Sequence, residues 1–395
     1  MSLMQILLLA WEYPPALVGG LGRHVHELSK AVAAQGHTVH VITAGEDGAQ
    51  GYECKEGVHV HRVCSRHGGR EPFSAWIEGL NDAMMECADR LCAGICFDTV
   101  HAHDWLVWKA ALYLQEKWHL PLTATIHATE HGRNNGIHTA LQQEIHEKEQ
   151  KLVKAADSLI VCSYFMKREI EQILHADPSK ISVFPNGIHP EFFTLQTARN
   201  VREQYGLQQR LLIFSIGRIV NEKGFYTIIE AAPLLAQRHP AAVFVIAGKG
   251  PLLERYRMIV RERQLGHVVW FVGYISEAEQ RAFLQQSDIV LVPSLYEPFG
   301  IVALEGMLAK KPTVVADTGG LGEIVTHART GFKTVPGNAW SLGQQLSEII
   351  EQPRLAAQAA EQGYEHVKHH YNWDSIARQT ILVYRKVSHS YQSGG

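Results

Sequence analysis

The sequence predicts an α/β protein built from two Rossmann-like domains, and three observations carry that prediction. Short β-branched or apolar runs alternate with helix-length amphipathic stretches along the whole chain. The alternation begins near residue 5 and starts afresh near residue 211, so the winding occurs twice. The 395 residues suffice for two to three domains at roughly 150 residues each. Repeated βα winding implies a parallel sheet covered by helices on both faces.

In the first half, Gln5–Ala10 is an apolar strand followed by a glycine-rich turn at Gly19–Gly22. A helix then carries Leu21, Val25, Leu28 and Val32 at the 4-3-4 spacing of one buried face, and Gly36 is placed to end it. Strands are predicted at Thr38–Thr43, Val58–Val63, Thr99–His103, Leu122–His127 and Ser158–Ser163, with helical patterns between them. In the second half, Leu211–Gly217 is a strand and Phe225–Arg238 a helix. Further strands read at Val243–Gly248, Val268–Val272, Ile289–Pro293 and Thr313–Asp317, with helices near 251–264, 276–286 and 301–309. The two windings join near residues 185–200, which sets domains at 1–187 and 188–371. Three helical segments follow at about 338–351, 354–369 and 373–388. Sheets of this kind take ligands at the carboxyl ends of their strands, so a cleft between the halves is expected.

Composition narrows the function. A chain that is 46% hydrophobic and 19% charged can bury a large core, which excludes disorder, collagen and coiled coil. The 37 Lys and Arg against 40 Asp and Glu leave a net charge of −3, so neither nucleic acid nor an anionic membrane is expected as the main partner. The 23 His would reverse that sign if enough of them were protonated. The six Cys contain no CxxC pair; Cys87, Cys92 and Cys96 fall in one predicted helix and read as buried thiols. The opening MSLMQILLLAWEYPP has an apolar run too short for a signal-peptide core or a membrane span. A cytoplasmic, reducing setting with no integral membrane segment is expected.

Four segments carry chemistry. Val18-Gly-Gly-Leu-Gly22 lies between a strand and a helix, where glycines let backbone N–H groups approach a phosphate. Its order is GGxG rather than GxGxxG, which disfavours a dehydrogenase-type dinucleotide fold. Gly248-Lys-Gly-Pro251 is a similar turn. Gly217-Arg218-Ile-Val-Asn-Glu-Lys223-Gly224 sets two cations five positions apart after an apolar strand, where they can neutralise a pyrophosphate leaving group. Glu297-Pro-Phe-Gly-Ile-Val-Ala-Leu-Glu305 places Glu297 before a helix and Glu305 on it, eight positions on.

In this ordered set the chain resembles the retaining glycosyltransferases of the two-Rossmann-domain GT-B fold, through their E-x7-E motif, Arg/Lys pair and N-terminal glycine loop. The resemblance runs from Glu12 to Lys386 and is nearest to glycosyltransferase family 4, in its glycogen-synthase-like branch. It implies that Arg218 and Lys223 bind the nucleotide diphosphate and that Glu305 accepts hydrogen bonds from the ribose. It also implies that Glu297 faces the donor sugar, with Phe299, Gly300, Ile301 and Val302 offering backbone amides to the sugar or distal phosphate. Gly19 and Gly20 would close over the phosphates, Gly248 would line the donor site, and Val272 and Gly273 would hold the base. Family strand ends present a His to the donor sugar and an Asp to the acceptor side, which assigns His127 and Asp104. Glu130 and Arg133, in the HATEHGR segment, are expected to meet sugar hydroxyls. Ile376, Thr380, Val383 and Val387 recur at 4-3-4 spacing, and the resemblance places their helix, 372–391, back on the first domain.

The implied activity is metal-independent transfer, with retention, of a hexose (glucose) from a nucleotide-diphosphate sugar to an α-glucan or small saccharide, without a cofactor. Bacterial ADP-glucose-dependent synthases carry Lys two positions before the GG pair, where this chain has Leu17. The donor is therefore open between UDP-glucose and ADP-glucose, and the oligomeric state is unspecified. Competing readings are a nucleotide-sugar 2-epimerase on the same frame, a family 4 transferase with a lipid or small-molecule acceptor, and a non-catalytic sugar-binding protein. His101, His103, His127 and His131 form an alternative metal-ligand set, but no DxD is present and a metal is not expected. The pairs His24/His26, His59/His61 and His369/His370 are expected at surface or strand positions.

Overall fold

A computed structural model describes residues 3–17, 19–45, 49–67, 72–189 and 199–393. The chain divides into a first unit of residues 1–187 with 373–395, and a second of residues 188–372. The expected junction at 185–200 lies largely outside the described residues, as does Val18 of the glycine turn.

The first unit runs β1 (Gln5–Leu9), α1 (Gly20–Ala34), β2 (Thr38–Ala44), β3 (Gly51–Lys55), β4 (Val58–Val63), α2 (Phe73–Cys92), β5 (Thr99–His103), α3 (Trp108–Trp118), β6 (Leu122–Ile126), α4 (Glu130–Asn134), α5 (Ala140–Ala155), β7 (Ser158–Val161), α6 (Tyr164–Ile173) and β8 (Ile181–Val183). Among the described residues its strands form one sheet in the order β3-β4-β2-β1-β5-β6-β7-β8. β1 sits at the centre, with Gln5 opposite Thr38 of β2 and Ile6 opposite Thr99 of β5. The sheet is parallel except for β3, which pairs antiparallel with β4. This corrects the all-parallel expectation. Glu56 and Gly57 both take left-handed backbone, the conformation of a two-residue hairpin turn, and β3 is an exposed edge. The second unit runs α7 (Val201–Gln204), β9 (Leu211–Ile216), α8 (Phe225–Arg238), β10 (Ala242–Ala247), α9 (Leu253–Glu262), β11 (Val269–Gly273), α10 (Glu277–Gln286), β12 (Ile289–Val292), α11 (Ile301–Leu308), β13 (Thr313–Ala316), α12 (Leu321–Ile324), β14 (Phe332–Thr334), α13 (Ala339–Glu351) and α14 (Pro353–His370). Its described strands form a parallel sheet, β11-β10-β9-β12-β13-β14.

The apolar runs become central strands for the expected reason. β1, β5, β6 and β10 are buried on both faces, so alternation is lost and apolar or small residues dominate, apart from Gln5 at the start of β1 and His101 and His103 of β5. Helix starts follow local chemistry: Thr139 with Gln142, and Ser276 with Glu279, form reciprocal capping boxes for α5 and α10. Most predicted ends shift by one or two residues, while the last helix, predicted to 388, runs on to Ser393. α2 stops at Cys92, however, so Cys96 lies beyond it and is exposed; Cys87 and Cys162 are buried thiols.

The final helix, α15 (Trp373–Ser393), belongs to the first unit. Trp373, Ile376, Ala377, Ile381 and Tyr384 join Val25, Leu28 and Val32 of α1 in one core. Thr380, Val383 and Val387 are buried with them. The Tyr384 hydroxyl lies 2.6 Å from His101 Nδ1 on β5, and Ser388 Oγ donates to the Asp98 carbonyl at 2.9 Å. These contacts tie the last helix to the middle of the first sheet.

Candidate active site

In the first unit, functional side chains gather where β5 and β6 end and α1 begins. Asp104 follows β5 with a positive φ of 61°, a conformation that is strained for a residue bearing a Cβ. That backbone turns its carboxylate toward the next strand end, where Oδ1 accepts the His127 N–H at 2.7 Å. Burial raises the Asp104 pKa to about 6 against the opposing pull of Arg133 and the backbone N–H groups of His127 and Ala128. His127 is lowered to about 3 by burial, then by Arg133. Its Nε2 lies 3.2 Å from His103 Nδ1.

The loop after β6 is pinned at several points. Thr129 Oγ1 accepts from Gly132 N and donates to Glu169 at 2.6 Å, capping α4. Glu130 N donates to Glu149 Oε1 at 2.7 Å, and Glu130 Oε1 accepts from Asn134. Glu149, on α5, is held protonated far above the usual carboxylate range: burial raises its pKa to about 9. Arg133 is exposed.

The glycine turn departs from expectation. Gly19 N and Gly22 N donate to the two carboxylate oxygens of Glu12, at 3.0 and 3.1 Å. Two amides expected to cradle a phosphate are thus satisfied by a buried carboxylate; the Gly20 N–H opens α1 beside them. Any Cβ on Gly22 would meet Leu17 and Glu12, so this glycine serves close packing.

In the second unit the site follows β9 and β12. Lys223 Nζ donates to Glu297 Oε2 at 2.7 Å across 74 residues of sequence, and Ser294 Oγ donates to the same oxygen at 2.9 Å. The two loops are fastened by their backbones, since the Glu222 carbonyl accepts from Leu295 N and Tyr296 N. Gly224 (φ +66°) permits this approach, because a Cβ there would strike the Pro293 carbonyl. Lys223, drawn inward by the ion pair, is 29% exposed, whereas Arg218 is 53% exposed and lies 3.7 Å from Glu222. Gly300, with φ +115°, starts α11, and the first N–H groups of that helix, at Ile301 and Val302, have no acceptor within the helix. Phe299 is buried behind them.

Glu305 lies deep on α11. It is 4% exposed, and Oε2 accepts from Gln280 Nε2 at 2.9 Å. It lies on α11, a helix packed against β12, β13 and α14, and Gln280 of α10 holds its carboxylate in place. Gly248 has φ +140° and runs against the Gly217 carbonyl, so its first duty is to let β9 and β10 end side by side. Val272 and Gly273 end β11, and the next residue, Tyr274, projects outward with Lys249 Nζ 4.6 Å from its ring centre.

Comparison with known proteins decides the family. The description Glycosyltransferase Family 4 matches residues 18–192, and Glycosyl transferases group 1 matches residues 198–366. A glycogen synthase of Mycobacterium tuberculosis is 34% identical over 96% of this chain and 94% of that protein. The chain belongs to glycosyltransferase family 4. A second family relative is a D-inositol 3-phosphate glycosyltransferase of Nocardioides sp., 29% identical over 93% of this chain and 85% of that protein. The solved sucrose-phosphate synthase of Thermosynechococcus elongatus superposes with a TM-score of 0.84, covering 98% of this chain and all of that one at 24% identity. The fold is GT-B.

Within this family 4 chain, several site residues were not legible beforehand. Glu12, Glu149, Gln280 and Ser294 each contact a predicted site residue. His24 was expected at a surface or strand position but is buried on α1, with Nδ1 2.6 Å from Asn186 Oδ1 and its ring 4.8 Å from that of His127. One ring nitrogen each of His24, His103 and His127 lies within 4.8 Å of the other two, and neither His101 nor His131 belongs to this group. The 4-3-4 face of α1 already gave the sign: His24 falls beside Val25 and Leu28. No helix among the described residues is long and apolar enough to cross a membrane.

Proposed function

We propose that the chain transfers a hexose, glucose, from a nucleotide-diphosphate sugar to an α-glucan or small saccharide with retention of configuration. The observation that carries this reading is the Lys223–Glu297 pair beside the open N-terminus of α11. A cation, a second cation at Arg218 and helix amides without an acceptor in their own helix together suit a diphosphate whose negative charge grows as the sugar departs. Glu297 orients Lys223 and is assigned to the donor sugar; Glu305, fixed by Gln280, is assigned to the ribose. In the first unit, His127 is assigned to the donor sugar, while Asp104, Glu130 and Arg133 are assigned to the acceptor side. The chemistry is electrostatic and requires no metal. Glucose and a glucan acceptor draw support from the 34% identity to a glycogen synthase.

A second reading, a small phosphorylated acceptor, draws on the inositol-phosphate relative and on the exposed Arg133. Mass analysis of products from UDP-glucose and ADP-glucose, each offered with maltooligosaccharide or inositol phosphate, separates the two. A lengthened oligosaccharide carrying a new α-linkage is the expected product. Epimerised nucleotide sugar formed without any acceptor would replace the reading with an isomerase. Loss of activity in EDTA, restored by Mg2+, would sink the metal-independent chemistry.

A further inference from the structure

We propose that His24, His103 and His127 form a binding site for a divalent late first-row transition ion, with Zn(II) the best match. The three side chains come from α1 and the ends of β5 and β6, and one ring nitrogen of each lies within 4.8 Å of the others. Their rings already converge, with centroids 4.8 Å apart for His24 and His127, 5.4 Å for His103 and His127, and 5.5 Å for His24 and His103.

Second contacts prepare the ligand atoms. The Asn186 amide oxygen can only accept, so His24 Nδ1 carries the hydrogen and Nε2 keeps its lone pair. That Nε2 is buried and has no hydrogen-bond partner. An orphaned ring nitrogen costs free energy unless something fills its place, and the one on His24 points to a bound ligand. His103 and His127 offer the ring nitrogens that face each other, Nδ1 and Nε2, which leaves the buried His103 Nε2 to carry the hydrogen. Burial also keeps all three imidazoles neutral at physiological pH, the state in which they coordinate metals.

The geometry suits a tetrahedral ion. Zn–N bonds of about 2.0–2.1 Å place neighbouring ligand nitrogens about 3.3 Å apart. His103 Nδ1 and His127 Nε2 stand 3.2 Å apart. Side-chain rotation brings the third nitrogen in, and water supplies the fourth position. His101 is unavailable because both of its nitrogens are engaged, by Tyr384 and Thr125. Zn(II) here would withdraw His127 from sugar binding, so the site is inhibitory. That consequence rests on the transferase reading; the binding itself does not.

The test is competition of the full chain with a chromophoric chelator for Zn2+, joined to the ligand-field spectrum of the Co2+ form. Expected are one strong site per chain, a tetrahedral Co2+ spectrum, loss of the site in His24→Gln and His103→Asn, and roughly 10–100-fold weakening in Asn186→Ala. His61→Gln, in the separate His40/His61 contact, should leave binding intact. Binding retained in His24→Gln and His103→Asn, or lost in His61→Gln, would overturn the proposal. Should the cluster variants fail to fold, 15N ring spectra of the wild-type chain decide: Zn2+ must shift the His24 ring nitrogens, and unshifted signals refute the site. Failure here leaves product analysis untouched, and inactivity there leaves Zn2+ binding measurable.

Discussion

The two units present side chains at the carboxyl ends of parallel strands with opposite electrostatics. In the first, burial removes charge: His24 and His127 are lowered to about 3, Asp104 is raised to about 6 and Glu149 to about 9. In the second, Lys223, Glu297, Arg218 and Glu222 keep opposite charges within reach and are partly open to water. Neutral rings and a protonated Glu149, beside an Asp104 that is still ionised at pH 7, suit an uncharged, hydroxyl-rich ligand, which needs directional hydrogen bonds more than a counter-charge. A cation pair beside a helix N-terminus suits an anion. The same scaffold therefore makes either kind of site, and the depth of the side chains sets which one forms.

The largest test removes a structural element from one unit only. Deleting residues 373–395 strips Trp373, Ile376, Ala377, Ile381 and Tyr384 from the core around α1. Large apolar side chains contribute about 1.5–3 kcal/mol each when fully buried, so the loss rivals the whole stability of a typical domain, about 5–15 kcal/mol. The first unit should lose its cooperative melting transition while the second keeps one. A truncated chain melting as the full chain does would break the comparison at its root. Next in size, Lys223→Ala and Arg218→Ala should each lower turnover by roughly 10²–10³. Lys223→Ala also leaves Glu297 without its cation, so it should be the more damaging of the two. Activity within threefold of wild type in both variants would remove the diphosphate from this loop.

Acid should separate the units next. The first unit holds His24, His40, His61, His101, His103 and His127, all lowered chiefly by burial. A depressed folded pKa gives stability that is complete above about pH 6.5 and is lost as pH falls toward the folded value. Asp104 and Glu149 act in the opposite sense and offset part of this loss. Among the described residues of the second unit, burial lowers His366. Hydrogen exchange between pH 7 and pH 5 should therefore open β5 and β6 before β9 and β10. Simultaneous opening would show that the imidazole cluster does not set acid stability.

The sequence was most informative where one residue type answers one local demand. The apolar runs marked the central strands, and the spacing of Ile376, Thr380, Val383 and Val387 marked the buried face of α15. The glycine and acidic motifs located the loops of the second unit. Pairings across the chain were not legible. Glu297 and Lys223 each stood out, but their contact depends on how β9 and β12 end side by side. Glu12 carries no sign of its role in the sequence, since a carboxylate before a phosphate-type turn looks unfavourable until that turn's own amides donate to it. β8 and β14, three residues each, and the exposed β3 lack an apolar run to announce them.

The smallest effect expected at pH 4 is that of Glu149→Gln, and its growth with pH probes the charge suppression directly. Glu149 Oε1 accepts from Glu130 N, while Oε2 is buried, unpartnered and 3.7 Å from His146 Nδ1. Glutamine keeps the shape, and its oxygen can take the Glu130 N–H. Because the folded pKa of about 9 lies above the unfolded value near 4.3, wild type is favoured by its proton below that lower value. As pH rises, the unfolded chain ionises first, and wild type loses stability until the folded group ionises near pH 9. Glutamine has no such term. The two melting temperatures should nearly coincide at pH 4, with the variant pulling ahead as pH rises and the gap levelling above about pH 9. A constant gap across that range would mean that Glu149 is ionised in the fold, and the first unit would then resemble the second in carrying a buried charge.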